Sequence, residues 1–391
     1  MALQPAAGAR DRNPGEVASN SRLCDRLAQV YRLWGYQEVD PPTVERLDTL
    51  EAGGAIAEHD LMRLAADEPL GLRPELTASI ARAASTRLAK RPRPLRLWAS
   101  GSTFRSIRAD GGGQRLNETL QSGVELLGDS SDAADRELLH LLLAATAKLG
   151  LCQDHHTTLL VGHHGLLDAL LEQVPAEQRL LTRRALTDFD PVALAGLQLP
   201  DSQRRGLATL LGLRGDAPQV LYQLEQWLGP HPLLERLAST LSAVAPAATR
   251  EGVRLQLDPT FQPHFDLYDG LVFKLVCRAE NAPVEVASGG RYDALVGRFE
   301  SDPEQAAGMG FAIQIEAVRE LLQGSAAAND ESTPWLVTSS SGDLNAVLAR
   351  MAELHANGEA AELHGPPCAS VEAAEALAQQ RGCRGAIWLA G

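Results

Sequence analysis

Glu75, Thr77, Gln121 and Glu125 are the side chains of this 391-residue chain whose types and spacing suit the capture of a cation. Gln121 and Glu125 stand four apart in a run that reads as a β-strand, Leu120 to Leu127. Period-two geometry puts both on one face and turns Leu120, Val124 and Leu126 to the other, toward a core. Glu75 and Thr77 stand two apart directly after Pro74, where extended backbone is favoured, so they are expected to share a face as well. Two carboxylates and two neutral polar groups aimed at one cavity suit an ammonium ligand. Taken singly, a carboxylate in a strand is more often part of a solvated face; the weight lies in the set.

Other chemistry is poorly supported. His155-His156 and His163-His164 have no nearby Cys or paired carboxylate at ligand spacing, so surface or interface histidines are the better reading and no metal is expected. Gly111-Gly112-Gly113 is not followed by Gly-Lys-Ser/Thr and is flanked by strands, which makes it a mobile hairpin tip and not a phosphate loop. Arg82, Arg87, Lys90, Arg91, Arg93 and Arg96 read as a solvated basic face or a contact for an acidic partner. Five scattered cysteines without a CxxC argue against a disulfide framework or a thiolate zinc site and fit a reducing cytoplasm. No cofactor is implied.

Lys+Arg 36 against Asp+Glu 50 leaves a net charge of −14. A protein that grips a large folded RNA normally shows a basic face, so this balance weighs against nucleic acid. No apolar run is long enough to span a bilayer and the N-terminus does not read as a signal peptide, so no membrane role is expected.

The elements that would position these side chains follow from periodicity. Residues 1–15 read as a flexible arm. Leu23, Leu27, Val30, Tyr31 and Trp34 recur at helical spacing up to Gly35, and Tyr36 to Val39 is a short strand closed by Pro41-Pro42. Ala78 to Lys90 is helical by composition, Leu95 to Ala99 and Leu120 to Leu127 are strands, and Ala133 to Leu149 is a helix with Leu138, Leu139, Leu142 and Leu143 on its buried side. From about 155 to 250, Leu-rich segments alternate with Pro and Gly breaks, as in a helical insertion. Strand-like alternation returns at Val253 to Leu257 and Leu271 to Val276. Residues 16–323 would form the main domain and 324–333 a polar linker. Residues 334–391 read strand, helix, strand, helix, strand, a small α/β unit.

Five segments occur in order: Leu72-Arg73-Pro74-Glu75-Leu76-Thr77, Thr103-Phe104-Arg105, Gln121-Ser122-Gly123-Val124-Glu125, Gly289-Gly290-Arg291-Tyr292-Asp293 and Gly310-Phe311-Ala312-Ile313-Gln314-Ile315-Glu316-Ala317. Together they resemble the catalytic domain of histidyl-tRNA synthetase. That resemblance implies an α+β fold: a class II aminoacyl-tRNA synthetase-like antiparallel sheet flanked by helices, with a helical insertion and a truncated C-terminal α/β unit in the place of the anticodon-binding domain. It implies that Glu75, Thr77, Gln121 and Glu125 bind histidine. Asp266-Leu267-Tyr268-Asp269-Gly270 is similar to the family's histidine-specific motif, which adds Tyr268, and Gly-Gly-Arg-Tyr-Asp adds Tyr292. An imidazole amino acid needs acidic acceptors for its ammonium and polar partners for its ring, which this set would supply.

The departures decide the expected activity. Activation sets a carboxylate against an ATP phosphate, so fixed cations must stabilise the transition state. Of three arginines the resemblance leads one to expect, the motif 2 arginine is present as Arg105. The motif 3 arginine is Ala317, and the arginine of the histidine-specific motif aligns with Pro263. Losing one such contact costs on the order of a hundredfold in rate; losing two should abolish aminoacylation. This combination resembles the regulatory subunit of ATP phosphoribosyltransferase, a non-catalytic synthetase paralogue. The resemblance implies a homodimer within a hetero-oligomer, a short-form catalytic subunit as partner, L-histidine as effector, no tRNA, and a role in the first step of histidine biosynthesis. An active histidyl-tRNA synthetase and an orphan amino-acid sensor are the alternatives.

Overall fold

Asn13 and Glu16 exchange side-chain to backbone hydrogen bonds across a first turn opened by Pro14, a capping box that starts α1 (Pro14–Leu33). The computed structural model describes residues 5–52, 58–108, 114–151, 153–263, 267–279, 282–323 and 333–390. Gly111 to Gly113, Asp266 and most of the 324–333 linker lie outside them. The chain divides into two units, Met1–Gly324 and Ser325–Gly391.

In the first unit α1 leads to β1 (Gln37–Glu38), β2 (Val44–Arg46), α2 (Leu47–Ala52), β3 (Met62–Arg63), β4 (Leu70–Leu72) and α3 (Thr77–Ser85). A long hairpin follows, β5 (Leu95–Arg108) and β6 (Gln114–Leu127), then α4 (Asp132–Leu149) and β7 (Thr158–His163). Next come α5 (His164–Glu172), α6 (Ala176–Thr187), α7 (Pro191–Ala195), α8 (Asp201–Gly212), α9 (Ala217–Leu228) and α10 (Pro232–Arg250). The unit ends with β8 (Arg254–Leu257), β9 (Leu271–Arg278), β10 (Pro283–Arg291), α11 (Asp293–Val296), β11 (Gly308–Gln314) and α12 (Ile315–Gln323).

Eight strands form one sheet in the order β1-β5-β6-β11-β10-β9-β7-β8, antiparallel except at its two ends. One face is covered by α1, α4 and α10. Leu27, Leu138, Leu142 and Val244 are buried there against Val124, Leu126, Leu159 and Leu275. Period-two alternation does the sorting: Leu159 and Val161 of β7 go to the core, whereas Thr158 and Leu160 take the other face.

Several expectations need correction. The helical insertion begins at His164, not at 155, because Thr158–His163 is a strand of the main sheet. The hairpin strands run much further than Leu95–Ala99 and Leu120–Leu127, since fourteen register pairs from Leu95–Leu127 to Arg108–Gln114 keep their ladder intact. The described part of the N-terminal arm is tied down: Leu116 N donates to Ala7 O at 3.2 Å, and Arg12 pairs with Glu316 at 2.7 Å. Half of the basic run is paired inside the chain, Arg82 with Glu45, Arg93 with Glu300 and Arg96 with Glu137, while Arg87, Lys90 and Arg91 are exposed, as a solvated face would be.

In the second unit β12 (Trp335–Ser339), α13 (Leu344–Ala356), β13 (Ala361–Leu363), α14 (Val371–Arg381) and β14 (Gly385–Leu389) form a parallel three-stranded sheet, order β13-β12-β14. Val337, Val347 and Leu354 make its core.

Candidate functional site

The face of the large sheet opposite α4 carries a cavity of about 280 Å³. Its floor can be read from register. Gly123, Ala312, Ser288 and Lys274 lie in one row across β6, β11, β10 and β9, and the neighbouring rows bring Gln121 beside Gln314 and Glu125 beside Gly310. Glu75, Thr77, Gln121, Glu125, Tyr268, Tyr292 and Arg105 all line this one cavity.

Glu125 is its centre. Thr77 Oγ1 donates to Oε1 at 2.6 Å and the Tyr292 hydroxyl donates to Oε2. The carboxyl is 4% exposed, and burial, with Glu75 nearby, pushes its pKa up to about 8 against the pull of those two donors. It lies directly over β11 because residue 310 is glycine: a Cβ there would overlap Oε2. Likewise a Cβ on Gly290 would press into the Tyr268 ring.

Glu75 plays another part than its spacing suggested. Thr77 is not on an extended segment; it opens α3, and Leu76 before it is already helical. The Glu75 carboxylate accepts from the backbone N–H groups of Thr77 and Ala78, the latter at 3.0 Å, so it caps α3 while facing the cavity. Burial raises its pKa, and the Ala78 and Thr77 donors and the Arg105 charge oppose the rise.

Tyr292 is set in place by its neighbours in the sequence. Arg291 reaches away to Asp135 of α4, with Nε at 3.1 Å, and to Asp293, while Asp293 accepts from Gly308 N at 2.9 Å. The motif's charged residues thus fix the backbone, and its tyrosine points into the site, 1% exposed.

The sites of the lost arginines differ in kind. Pro263 lines the cavity, where it supplies neither charge nor donor. Ala317 lies on α12 against the main core. The arginine that α12 does carry, Arg319, faces α1: it is 2% exposed, donates to Asn20 at 3.1 Å and pairs with Glu16 at 3.3 Å. Among the described residues the cations lining the cavity are Arg105 and Lys274. Arg105 Nε donates to Pro74 O at 3.3 Å, and burial lowers its pKa, with Glu75 opposing.

Ser288, Gln314, Lys274, Glu285 and Gln262 also line the cavity and escaped the sequence reading. Ser288 and Gln314 could have been found by carrying the period-two rule along strands next to Glu125. Lys274 and Glu285 needed the register of β9 against β10. His163, read as a surface or interface histidine, is half-buried and accepts from Gly165 N at 3.0 Å to cap α5; desolvation holds its pKa down at about 4.

The sheet order, the long hairpin and the cavity on its open face define a class II aminoacyl-tRNA synthetase-like protein of the histidyl type. Residues 8–318 match the histidyl-tRNA synthetase family model. A histidyl-tRNA synthetase from Nostoc sp. PCC 7120 superposes with a TM-score of 0.80 at 16% identity, over 100% of this chain and 92% of that one, a likeness of fold. A Bacillus halodurans C structure described as an ATP phosphoribosyltransferase regulatory subunit/histidyl-tRNA synthetase superposes with a TM-score of 0.83 at 27% identity, over 100% and 99% of the two chains. ATP phosphoribosyltransferase regulatory subunits of Synechococcus sp. strain CC9902 and Prochlorococcus marinus strain MIT 9313 are each 50% identical, covering 98% and 100% of this chain and the same shares of their own. The chain belongs to the ATP phosphoribosyltransferase regulatory subunit family.

Proposed function

We propose that this chain is the non-catalytic regulatory subunit that a short-form ATP phosphoribosyltransferase catalytic subunit requires, and that it binds L-histidine in the Glu125 cavity to impose feedback on the first step of histidine biosynthesis. The observation that carries the reading is the buried Glu125 carboxyl held between Thr77 and Tyr292, in a cavity with Pro263 on its wall, while Ala317 occupies the other expected arginine position on α12. The site offers carboxylates to an ammonium and Tyr268, Tyr292 and Gln121 to a ring or carboxylate, and of the three arginines expected for amino acid activation it keeps Arg105 alone. Glu75, Thr77, Gln121, Glu125, Tyr268 and Tyr292 are the histidine-binding residues; Arg105 is the retained motif 2 arginine.

Feedback requires histidine to favour one arrangement of the hetero-oligomer, a coupling of about 1–3 kcal/mol. The chain acts as a homodimer within that assembly, without tRNA. Its main domain is residues 16–323, followed by the linker at 324–333 and the small unit at 334–391. The test is phosphoribosyl-ATP formation by a short-form catalytic subunit, with and without this chain, across a histidine titration. Activity that depends on the chain and falls with histidine supports the reading; independence from the chain overturns it in favour of an orphan sensor.

A further inference from the structure

Beyond the histidine cavity, the same open face of the sheet ends in a second cleft of about 640 Å³, over β9, β7 and β8. In a chain of net charge −14, this cleft is lined by Arg214, Arg254, Lys274, Arg278 and His156, and no carboxylate is among its described lining residues. The nearest acidic groups engage only its rim: Glu285 lies 3.8 Å from Lys274 and Asp258 lies 3.7 Å from Arg214. Arg254 and Arg278 are exposed and make no ion pair among the described residues.

Strand register places these charges on one face around the cleft. Arg254 pairs with Thr158 and Thr158 with Val276, so Arg254 stands level with Val276 two strands away. Lys274 and Arg278 flank Val276 on its own face. Two strand spacings and two residues of rise put each of them roughly 12 Å from Arg254, Cα to Cα. An Arg or Lys side chain spans about half of that distance, so Arg254 and Arg278 can both reach an anion held between them, while the Lys274 ammonium stands on the side toward the histidine cavity, 5.1 Å from the Phe261 ring centroid. Arg214 closes the outer side, fixed by Gly215, which exchanges backbone hydrogen bonds with Leu257 at 3.2 and 2.9 Å. It also lies over the Phe189 ring at 5.9 Å.

We propose that this cleft binds a small molecule bearing two or three linked phosphates, such as a nucleoside triphosphate. Guanidinium groups match phosphate oxygens bidentately, and three of them lining one cleft with a lysine at its edge suit a polyphosphate. A nucleic acid backbone would need a basic stripe extending past the cleft. Lys274 lines both cavities, so a polyphosphate would sit directly beside the amino-acid site. The cleft's cations lie outside the histidine-binding set, and this site stands whether or not that reading holds.

The test uses the full chain, with inorganic tripolyphosphate and ATP as probes in calorimetry at low ionic strength. Saturable one-to-one binding of tripolyphosphate, displaced by ATP, is expected. Arg254→Glu with Arg278→Glu should weaken it about tenfold or more, and Glu125→Gln should leave it unchanged. Because charge reversal can disturb an edge strand, Arg254→Gln with Arg278→Gln provides a second, milder pair that should move affinity in the same direction. Absence of saturable binding, or wild-type affinity in both double variants, overturns the site. A short RNA duplex that binds more tightly than either probe, and loses its binding in the double variants, replaces it with a nucleic acid surface.

Discussion

The Tyr292 hydroxyl donates to Oε2 of Glu125 in a setting where the tyrosine is 1% and the glutamate 4% exposed. With Thr77 on the other oxygen, the carboxyl is held in one orientation before any ligand arrives. A preset acceptor of this kind loses little freedom on binding.

Glu125→Ala should weaken histidine binding and leave the fold intact, because the opposite face of β6, with Val124 and Leu126, keeps its packing. A charge-assisted hydrogen bond contributes about 1.5–3 kcal/mol, or roughly a 10- to 150-fold change in Kd. Unchanged affinity in calorimetry would sink the pocket assignment.

Histidine affinity should rise with pH up to about 8. The empty cavity keeps the Glu125 carboxyl protonated below that value, and a bound ammonium needs it ionised, so binding releases a proton below about pH 8 and none above. Titrations in buffers of different ionisation enthalpy measure that release directly. The stability of the empty protein runs the opposite way. The folded pKa is raised from 4.5 to about 8, so the folded state binds more protons across that window and this group's contribution falls as pH climbs through it. Glu125→Gln should flatten that slope in pH-dependent denaturation.

Gly310→Ala should abolish histidine binding at least as fully as the loss of Glu125, since a methyl there overlaps Oε2 and the Val124 carbonyl. Displacement of the carboxylate would appear as a lost binding isotherm, with the circular dichroism spectrum retained if β6 and β11 adjust locally. Wild-type affinity in this variant would contradict the close approach of strand and carboxyl.

Ala317→Arg alone should yield no adenylate in a pyrophosphate-exchange assay. Position 263 remains Pro on the cavity wall, and Glu316 beside the new arginine is already held by Arg12 and by the Leu120 N–H at 2.8 Å. Recovery of exchange would refute the proposal that positions 263 and 317 together bar adenylate formation.

Leu142→Ala should cost about 2–5 kcal/mol in chemical denaturation without altering the cavity on the far face. Leu142 is fully buried in the core under the sheet, and a loss below 1 kcal/mol would mean that core is looser than described.

Much was legible from local rules alone. The alternation around Gln121 and Glu125 gave the right faces because a strand has only two. The closing strand-helix-strand-helix-strand unit was readable because its turns carry Gly, Asp and Ser at the element ends, as at Asp343 and Ser370, which cap α13 and α14. Ordered motifs located Tyr268 and Tyr292. Glu75 and Thr77 do line the same cavity as Gln121 and Glu125, but not for the reason the sequence offered: the Pro74 rule favours extended backbone before a proline and says nothing of the turn after it, where α3 begins.

By itself the sequence determined most element types, the face that Gln121 and Glu125 share, the acidic balance and the absence of side-chain charge at 263 and 317, since each is a property of neighbouring residues or of composition. Only the tertiary structure decided that Ala317 lies against the core while Pro263 lines the cavity, that Arg319 turns to α1, that Glu125 lies buried over Gly310, and that Arg254, Lys274 and Arg278 line one cleft. Those relationships join residues far apart in the chain through strand register, and register is set by the packing of a whole sheet on its helices, which no local pattern contains.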